Sequence, residues 1–146
     1  MTQVAVCGPA DCTALEADEA YEVGARLAAR GVVVLCGGGG GVMAAAAAGA
    51  RSAGGIVIGV LPGDAPPTAD VTAYVATGMG EARNAVLVRS ADAVIAIGGS
   101  WGTLSEIALA MRRGTIPVVV LGGWPVPAPG VRTATSPDEA VTLAGV

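Results

Sequence analysis

The hydrophobic pattern of the chain alternates short, continuous apolar runs with longer stretches in which apolar residues recur every three or four positions. The short runs predict strands at residues 3–7, 32–36, 56–61, 71–76, 92–97 and 117–121. The clearest of them read VVVLC, IVIGVL, VIAI and VVVL. Runs that are apolar at every position are typical of strands buried on both faces of a parallel sheet.

The longer stretches predict helices, and several carry sequence signals for their ends. Thr13 and Glu16 fit a capping box at the start of the first helix, and Gly31 ends it. Further helices are predicted at residues 42–53 and 79–90, from Thr103 to Gly114, and after Ser136. Strands that alternate with helices through short connections predict a doubly wound α/β fold. We therefore expect one Rossmann-like domain over residues 1–146, with helices on both faces of a parallel sheet.

The composition excludes several classes of enzyme. The chain has no His, and all eight of its basic residues are Arg, so it has no Lys. A pyridoxal phosphate enzyme and a phosphate loop of the GxxxxGK[ST] type both require a Lys. Catalytic triads that use His cannot be assembled either. With a net charge of −4 and no basic patch, the chain is not expected to bind nucleic acid.

The three cysteines, Cys7, Cys12 and Cys36, are an odd number without paired spacing. This argues against a disulfide framework or a zinc site, so we expect no metal and no resident cofactor. Cys7 and Cys36 end predicted strands and are interpreted as buried thiols of a cytoplasmic protein. Residues 31–50 contain no charged side chain and are numerous enough to span a membrane as a helix. Five consecutive glycines would break such a helix, so no membrane segment is expected.

The stretch from Asp92 to Met111 combines a predicted strand, a glycine turn and a predicted helix start at Thr103. This arrangement favours anion binding, because the first N–H groups of a helix lack partners and carry partial positive charge. Glu106 lies roughly 150° from the centre of the apolar stripe of this helix, so it is not expected to pack on the sheet. It is either a solvated acid of the first turns or a functional carboxylate.

A second glycine turn, residues 37–41, follows the second predicted strand. It fits the dinucleotide fingerprint GxGxxG poorly, since its sixth position is Val42 and no acidic residue stands about twenty positions further on. Two interpretations stay open. The glycines allow two backbones to cross closely, or they form a second donor-rich edge of the crevice that the first turn borders.

Arg83 falls within the apolar stripe of its predicted helix, where an unpaired guanidinium would be costly. One interpretation is a structural ion pair with Asp92 or another carboxylate. The other is a guanidinium that lines the crevice and binds a phosphate or carboxylate.

Three segments of the chain resemble motifs of the Lonely Guy (LOG) family of nucleoside 5′-monophosphate phosphoribohydrolases. GGSWGTLSE (residues 98–106) resembles GGxGTxxE, CGGGGGVMA (36–44) is similar to GGGxxGLMG, and GGIVIGVLP (54–62) is similar to GGxVxGVIP. Arg83 also stands nine residues before Asp92, which matches the family's spacing.

The resemblance implies that Arg83 and Glu106 are a catalytic pair that cleaves AMP or an N6-modified AMP into base and ribose 5-phosphate. It implies a nucleotide or another phosphorylated small molecule as partner, and a homodimer that shares the active site. We place the homodimer surface on the helices that follow the glycine turns, including residues 42–53. The expected phosphate and nucleotide contacts are Gly38, Gly39, Met79, Asn84, Gly98, Gly99, Ser100, Gly102 and Thr103.

The chain departs from the LOG pattern at three positions. Asn84 replaces the Lys that follows the arginine, Ser105 replaces the glutamate before the catalytic one, and Ile97 replaces the proline of PGG. These variants resemble a short subfamily whose relatives are similar to molybdenum-cofactor carrier proteins, which bind a phosphorylated pterin without chemistry. A non-catalytic carrier is therefore the alternative function.

Overall fold

The computed structural model describes residues 1–146, which form one parallel sheet with helices on both faces. The strands are β1 (Gln3–Cys7), β2 (Val33–Cys36), β3 (Val57–Leu61), β4 (Ala73–Ala76), β5 (Ala93–Ile97), β6 (Val118–Leu121) and β7 (Val131–Ala134). The helices are α1 (Ala14–Ala29), α2 (Val42–Ser52), α3 (Arg83–Ser90), α4 (Trp101–Arg113) and α5 (Pro137–Leu143). The predicted α/β fold class is confirmed.

The strand order is β4-β3-β2-β1-β5-β6-β7, and every neighbouring pair is parallel. The chain builds the sheet outward from β1 in one direction, then crosses to β5 and builds the other half. In open α/β sheets this switch point opens a crevice at the carboxyl ends of the two strands. Here those ends are Cys7 and Ile97, which begin the loops that border the candidate site.

Alternate residues of each central strand feed two hydrophobic cores. Val4 and Val6 of β1 point into the core shared with α1, α2 and α5. Ala5 and Cys7 point into the smaller core on the opposite face, which is shared with α3 and α4. Both faces of β1, β2 and β5 are covered, and this explains why their sequences are apolar throughout.

Helices α1 and α2 touch backbone to backbone. A Cβ atom on Gly24 would overlap the carbonyl oxygen of Ala46, and one on Gly49 would overlap that of Tyr21. No large apolar side chain of residues 42–53 is among the exposed ones. Helix α1 therefore covers the apolar face of α2, and a homodimer surface on the rest of α2 stays a prediction.

The largest differences from the sequence prediction concern β7, β4 and the starts of α3 and α4. A seventh strand, β7, was not predicted, and β4 is shorter than expected with all four of its residues exposed. Helix α3 begins only at Arg83, after a single 3-10 turn at Gly80–Ala82. Helix α4 begins at Trp101, two residues before the predicted start, because Ser100 caps it. The predicted capping box of Thr13 and Glu16 is confirmed.

Candidate functional site

Two glycine turns flank the loop that follows β1. The carbonyl of Pro9 in this loop accepts a hydrogen bond from Val42 N, 3.1 Å away, at the start of α2. On the other side, a Cβ on Gly98 would come within 3.2 Å of Pro9 Cδ and would overlap the Glu16 carboxylate. The turn of residues 37–41 and the turn of residues 98–102 therefore lie on either side of this loop, at the switch point of the sheet.

The 37–41 turn supports both of its sequence interpretations. Gly41 has a φ of +61°, and a Cβ there would overlap the carbonyl oxygens of Pro9 and Ala10, so the backbones cross closely. The N–H groups of Gly39, Gly40 and Gly41 make no hydrogen bond within the chain. They provide a row of free donors beside a cleft of about 310 Å³ that Arg83 also lines.

The 98–102 turn is a capped helix start whose free donors differ from those expected. Ser100 Oγ accepts a bond from Thr103 N at 3.1 Å and lies 2.9 Å from the Thr103 hydroxyl. Thr103 is buried at 1% exposure, and either hydroxyl could be the donor in its bond to Ser100. The N–H groups of Trp101 and Gly102 have no partner in the chain. These two groups are free anion donors at this end of α4, and a ligand contact from the Thr103 hydroxyl stays a prediction.

Trp124, from the loop after β6, covers one side of the 98–102 turn. A Cβ on Gly99 would lie only 2.7 Å from Trp124 Cδ1, so a glycine is required under this ring. Trp124 also contacts Trp101 edge to face, with ring centroids 5.0 Å apart. Trp124 could not be linked to the site from the sequence, because its contact with Gly99 joins two distant loops.

Glu106 is buried, which corrects the expectation that it lies off the packed face. The apolar spacing of Leu104, Ile107, Ala108 and Met111 predicted the buried face of this helix. The residues that are in fact buried, Thr103, Glu106, Ile107 and Ala110, lie one position earlier. The carboxylate lies beside the Cys7 thiol at the end of β1. Burial raises the pKa of Glu106, while the thiol hydrogen bond and the charge of Arg83 oppose the increase.

Arg83 reaches the carboxyl ends of two neighbouring strands. Its Nη1 donates to Gly37 O at 2.8 Å and to Val60 O at 2.7 Å, while its Nε is buried without a partner. The alternative of an ion pair with Asp92 is wrong, since Asp92 instead accepts from the backbone N of Gln3 at 2.9 Å. The guanidinium is fixed by carbonyls at the cleft and keeps its charge uncompensated by a direct carboxylate partner.

Comparison with known proteins identifies the family. The model of the SLOG cluster4 family matches residues 1–143. The chain belongs to the SLOG cluster4 family. It is 41% identical over 142 residues to an uncharacterized protein from Archaeoglobus fulgidus, covering 97% of this chain and 93% of that protein.

Two solved structures are similar to this SLOG cluster4 chain over nearly its whole length. The molybdenum cofactor binding protein from Rippkaea orientalis superposes with a TM-score of 0.91 at 35% identity, covering 97% of this chain and 94% of that one. The molybdenum cofactor carrier protein from Chlamydomonas reinhardtii gives a TM-score of 0.89 at 34% identity, covering 97% and 95%.

The remaining predicted contacts of the SLOG cluster4 chain lie around α3 and α4. Asn84 is buried and donates from Nδ2 to Ser105 Oγ at 3.3 Å, while its Oδ1 has no partner. Asn84 and Gly102 line a groove between the two helices, and Gly38 and Gly39 line the cleft beside Arg83. Met79 is half exposed and lines neither the groove nor the cleft.

No group of three or more His, Cys, Asp or Glu side chains could hold a metal ion. No helix has both the length and the apolar character to cross a membrane.

The cysteines allow a first test of the site. Burial raises the pKa of Cys7 well above its usual value, reinforced by Glu106, and burial also raises that of Cys36. Cys12 is only partly buried. Because the thiolate is the reactive form, we expect native protein at pH 8 to react with Ellman's reagent at Cys12 alone, and denatured protein to react at all three cysteines. Rapid modification of Cys7 in the native protein would contradict the packing beneath Glu106.

Proposed function

We propose that this protein binds a phosphorylated small molecule in the crevice between the two glycine turns and carries it without chemistry, with the molybdenum cofactor as cargo. The observation that carries the proposal is the similarity, across nearly the full chain, to solved molybdenum cofactor binding and carrier proteins. A phosphorylated pterin needs an anion site, and the chain supplies donors for one.

The crevice supports phosphate binding through backbone donors and one cation. The free N–H groups lie at the starts of α2 and α4, where the helix dipole adds partial positive charge. Arg83 adds a full charge at the cleft beside the 37–41 turn. The chain has no Lys that could take this role. The site therefore suits a ligand whose anionic end is held mainly by main-chain groups.

Phosphoribohydrolase activity is the second candidate, and one observation favours it. A buried carboxylate with a raised pKa lies near an arginine, and such groups are concentrated at catalytic sites. Ionised Glu106 would stabilise the positive charge that develops on the sugar during N-glycosidic cleavage. The departures at Asn84 and Ser105 favour the carrier. The homodimer, and the expectation that nucleic acid is not a partner, stay predictions.

Retention of pterin during purification tests the carrier. The protein is isolated from cells that make the molybdenum cofactor, and bound pterin is measured by fluorescence after oxidation. We expect wild type and Arg89→Met to retain pterin and Arg83→Met to lose most of it. The two arginines share α3, but Arg89 is exposed and Arg83 lines the cleft. Equal retention by all three proteins would contradict a role for the cleft.

The same preparations separate the two functions. Wild type is incubated with AMP and with isopentenyl-AMP, and free base is measured. The carrier predicts retained pterin and no release of base above the protein-free control. Release of base that Arg83→Met abolishes would replace the carrier by the hydrolase. A wild type that neither retains pterin nor releases base would contradict both proposals.

A further inference from the structure

A groove of about 610 Å³ lies between α3 and α4, on the face of the sheet that these two helices cover. Trp101, Gly102 and Ser105 line it from α4, and Asn84 lines it from α3. Its volume falls within the range of about 300–1,000 Å³ that small-molecule sites occupy. Trp101 and Gly102 also carry free N–H donors of the 98–102 turn, so the groove adjoins the anion site.

Asn84 is a polar side chain that the fold buries without satisfying. It is 9% exposed, its Oδ1 has no partner, and its Nδ2 makes only the 3.3 Å bond to Ser105. A buried carboxamide with an unpaired oxygen costs free energy unless a partner arrives. The Asn84 carboxamide can rotate about χ2, which is a soft torsion, and so reach a ligand in the groove. This rotation breaks only the 3.3 Å hydrogen bond to Ser105.

Trp101 supplies a flat apolar surface at the mouth of the same groove. It is 78% exposed, although a residue of this size is usually well covered. Its contact with Trp124 is edge to face, with planes at 74°. A face of the indole that is not packed in this way can stack on a planar ring.

We infer that the groove holds the ring of the carried molecule, and that this ring is a flat nitrogen heterocycle with an amide edge. The ring stacks on Trp101, and its amide edge pairs with the Asn84 carboxamide, which has one acceptor and two donors to offer. The phosphate of the same molecule then lies at the N–H groups of Trp101 and Gly102. This inference rests on the proposed binding function and specifies which part of the ligand each element binds.

Affinity measurements with and without the ring test the inference. Calorimetry compares neopterin monophosphate, AMP and ribose 5-phosphate on wild type, Trp101→Ala and Asn84→Leu. Tyr74→Ala is the control, because Tyr74 is another exposed aromatic residue, on β4 and outside the groove. Thermal melting establishes that each variant is folded, and Trp101→Ala, at an exposed site, keeps the test valid if Asn84→Leu does not fold.

In wild type we expect neopterin monophosphate, whose ring has an amide edge, to bind more tightly than ribose 5-phosphate and than AMP, whose adenine ring has no amide. Tighter binding of AMP than of neopterin monophosphate would overturn the amide-edge assignment. Loss of stacking should weaken binding of neopterin monophosphate on the order of tenfold in Trp101→Ala. Ribose 5-phosphate should bind equally to all variants, and Tyr74→Ala should match wild type. Phosphorylated probes that bind wild type with no preference for a ring would overturn this inference alone. Failure of every probe to bind would overturn the proposed function with it.

A second copy of the chain is the competing occupant of the groove. Light scattering on the same proteins decides between a ligand ring and a second copy, because it measures the mass in solution and the monomer mass is 14.1 kDa. A wild-type dimer that Trp101→Ala converts to a monomer, with ring affinity unchanged, would show that the groove is an interface between copies and would overturn the inference. The inference requires the mass of Trp101→Ala to equal that of wild type while its ring affinity falls.

Discussion

Gly49→Ala is expected to destabilise the protein by roughly 3 kcal/mol or more, although alanine is the better helix former. The added methyl group would overlap the backbone carbonyl of Tyr21 on α1, and a backbone cannot move aside as a flexible side chain can. The two helices would have to separate. Gly24→Ala, which meets the Ala46 carbonyl from the other helix, should act in the same direction. Denaturant unfolding of both variants measures the effect.

Gly102→Ala provides the matched control, because Gly102 also lies within a helix but contacts no other helix closely. The nearest atom to an added Cβ there is Ser100 Oγ, 3.9 Å away, so nothing obstructs it. Here the ordinary preference for alanine should appear as a change between zero and a gain of about 1 kcal/mol. If Gly49→Ala and Gly102→Ala shift the unfolding midpoint equally, close packing of α1 on α2 is not what makes Gly49 necessary.

The contact between α1 and α2 also bears on the site. Helix α2 begins directly after the 37–41 turn, whose Gly41 is wedged against the carbonyls of Pro9 and Ala10. A displaced α2 would move the free N–H groups of Gly39 and Gly40 away from the cleft. Destabilised variants at Gly49 should therefore lose ligand affinity before they unfold completely.

The sequence predicted the central strands because these strands are buried on both faces, which makes them apolar at every position. It did not predict β7, which ends the sheet and reads VRTA, with Arg132 and Thr133 exposed. An edge strand of this kind has no continuous apolar run. Its place is set by pairing with β6, which is a long-range property of the fold.

The functional roles of the candidate site residues stay predictions, but the structure shows where these residues lie. The glycine turns, Arg83 and Glu106 were singled out from motif and spacing, and in the structure they lie near the carboxyl ends of β1, β2, β3 and β5. The orientation of Glu106 was wrong because Leu104, Ala108 and Met111 suggested an apolar stripe one position out of register. In the structure a carboxylate and a threonine occupy the buried face instead. A helix face that buries polar residues leaves no pattern of apolar positions in the sequence.

Glu106→Gln should raise the thermal stability of the protein at neutral pH. Burial is the largest influence on the pKa of this carboxyl and raises it above 4.5 in the folded state. Below pH 4.5 the group is protonated in both the folded and unfolded states, and its stabilising contribution is fully present. As the pH rises through the folded-state pKa, that contribution is lost, because the unfolded chain ionises more easily. A glutamine at this position does not ionise, so the free energy of unfolding of the variant does not fall in this way as the pH rises.

Melting temperatures of wild type and Glu106→Gln, measured from pH 4 to pH 8, test this expectation. The two curves should converge near pH 4 and separate as the pH increases, with the variant more stable at the upper end. Glu81→Gln is the control, since Glu81 is exposed and forms no ion pair, and its curve should run parallel to that of wild type. A Glu106→Gln variant that melts lower than wild type at pH 7 would show that Arg83 and Cys7 stabilise the anion by more than burial destabilises it.

The same variant links stability to function. In a carrier, Glu106 lies beneath the crevice as a buried acid, and Glu106→Gln should retain pterin or bind it more tightly, since one negative charge near an anionic ligand is removed. In a hydrolase, the change removes the charge that opposes the positive sugar, and turnover of AMP should fall on the order of 10²-fold or more. A buried charge that lowers stability and is needed for turnover would be a functional group. If Glu106→Gln raises stability and leaves both cargo binding and turnover unchanged, the charge of Glu106 has no role in either proposed function.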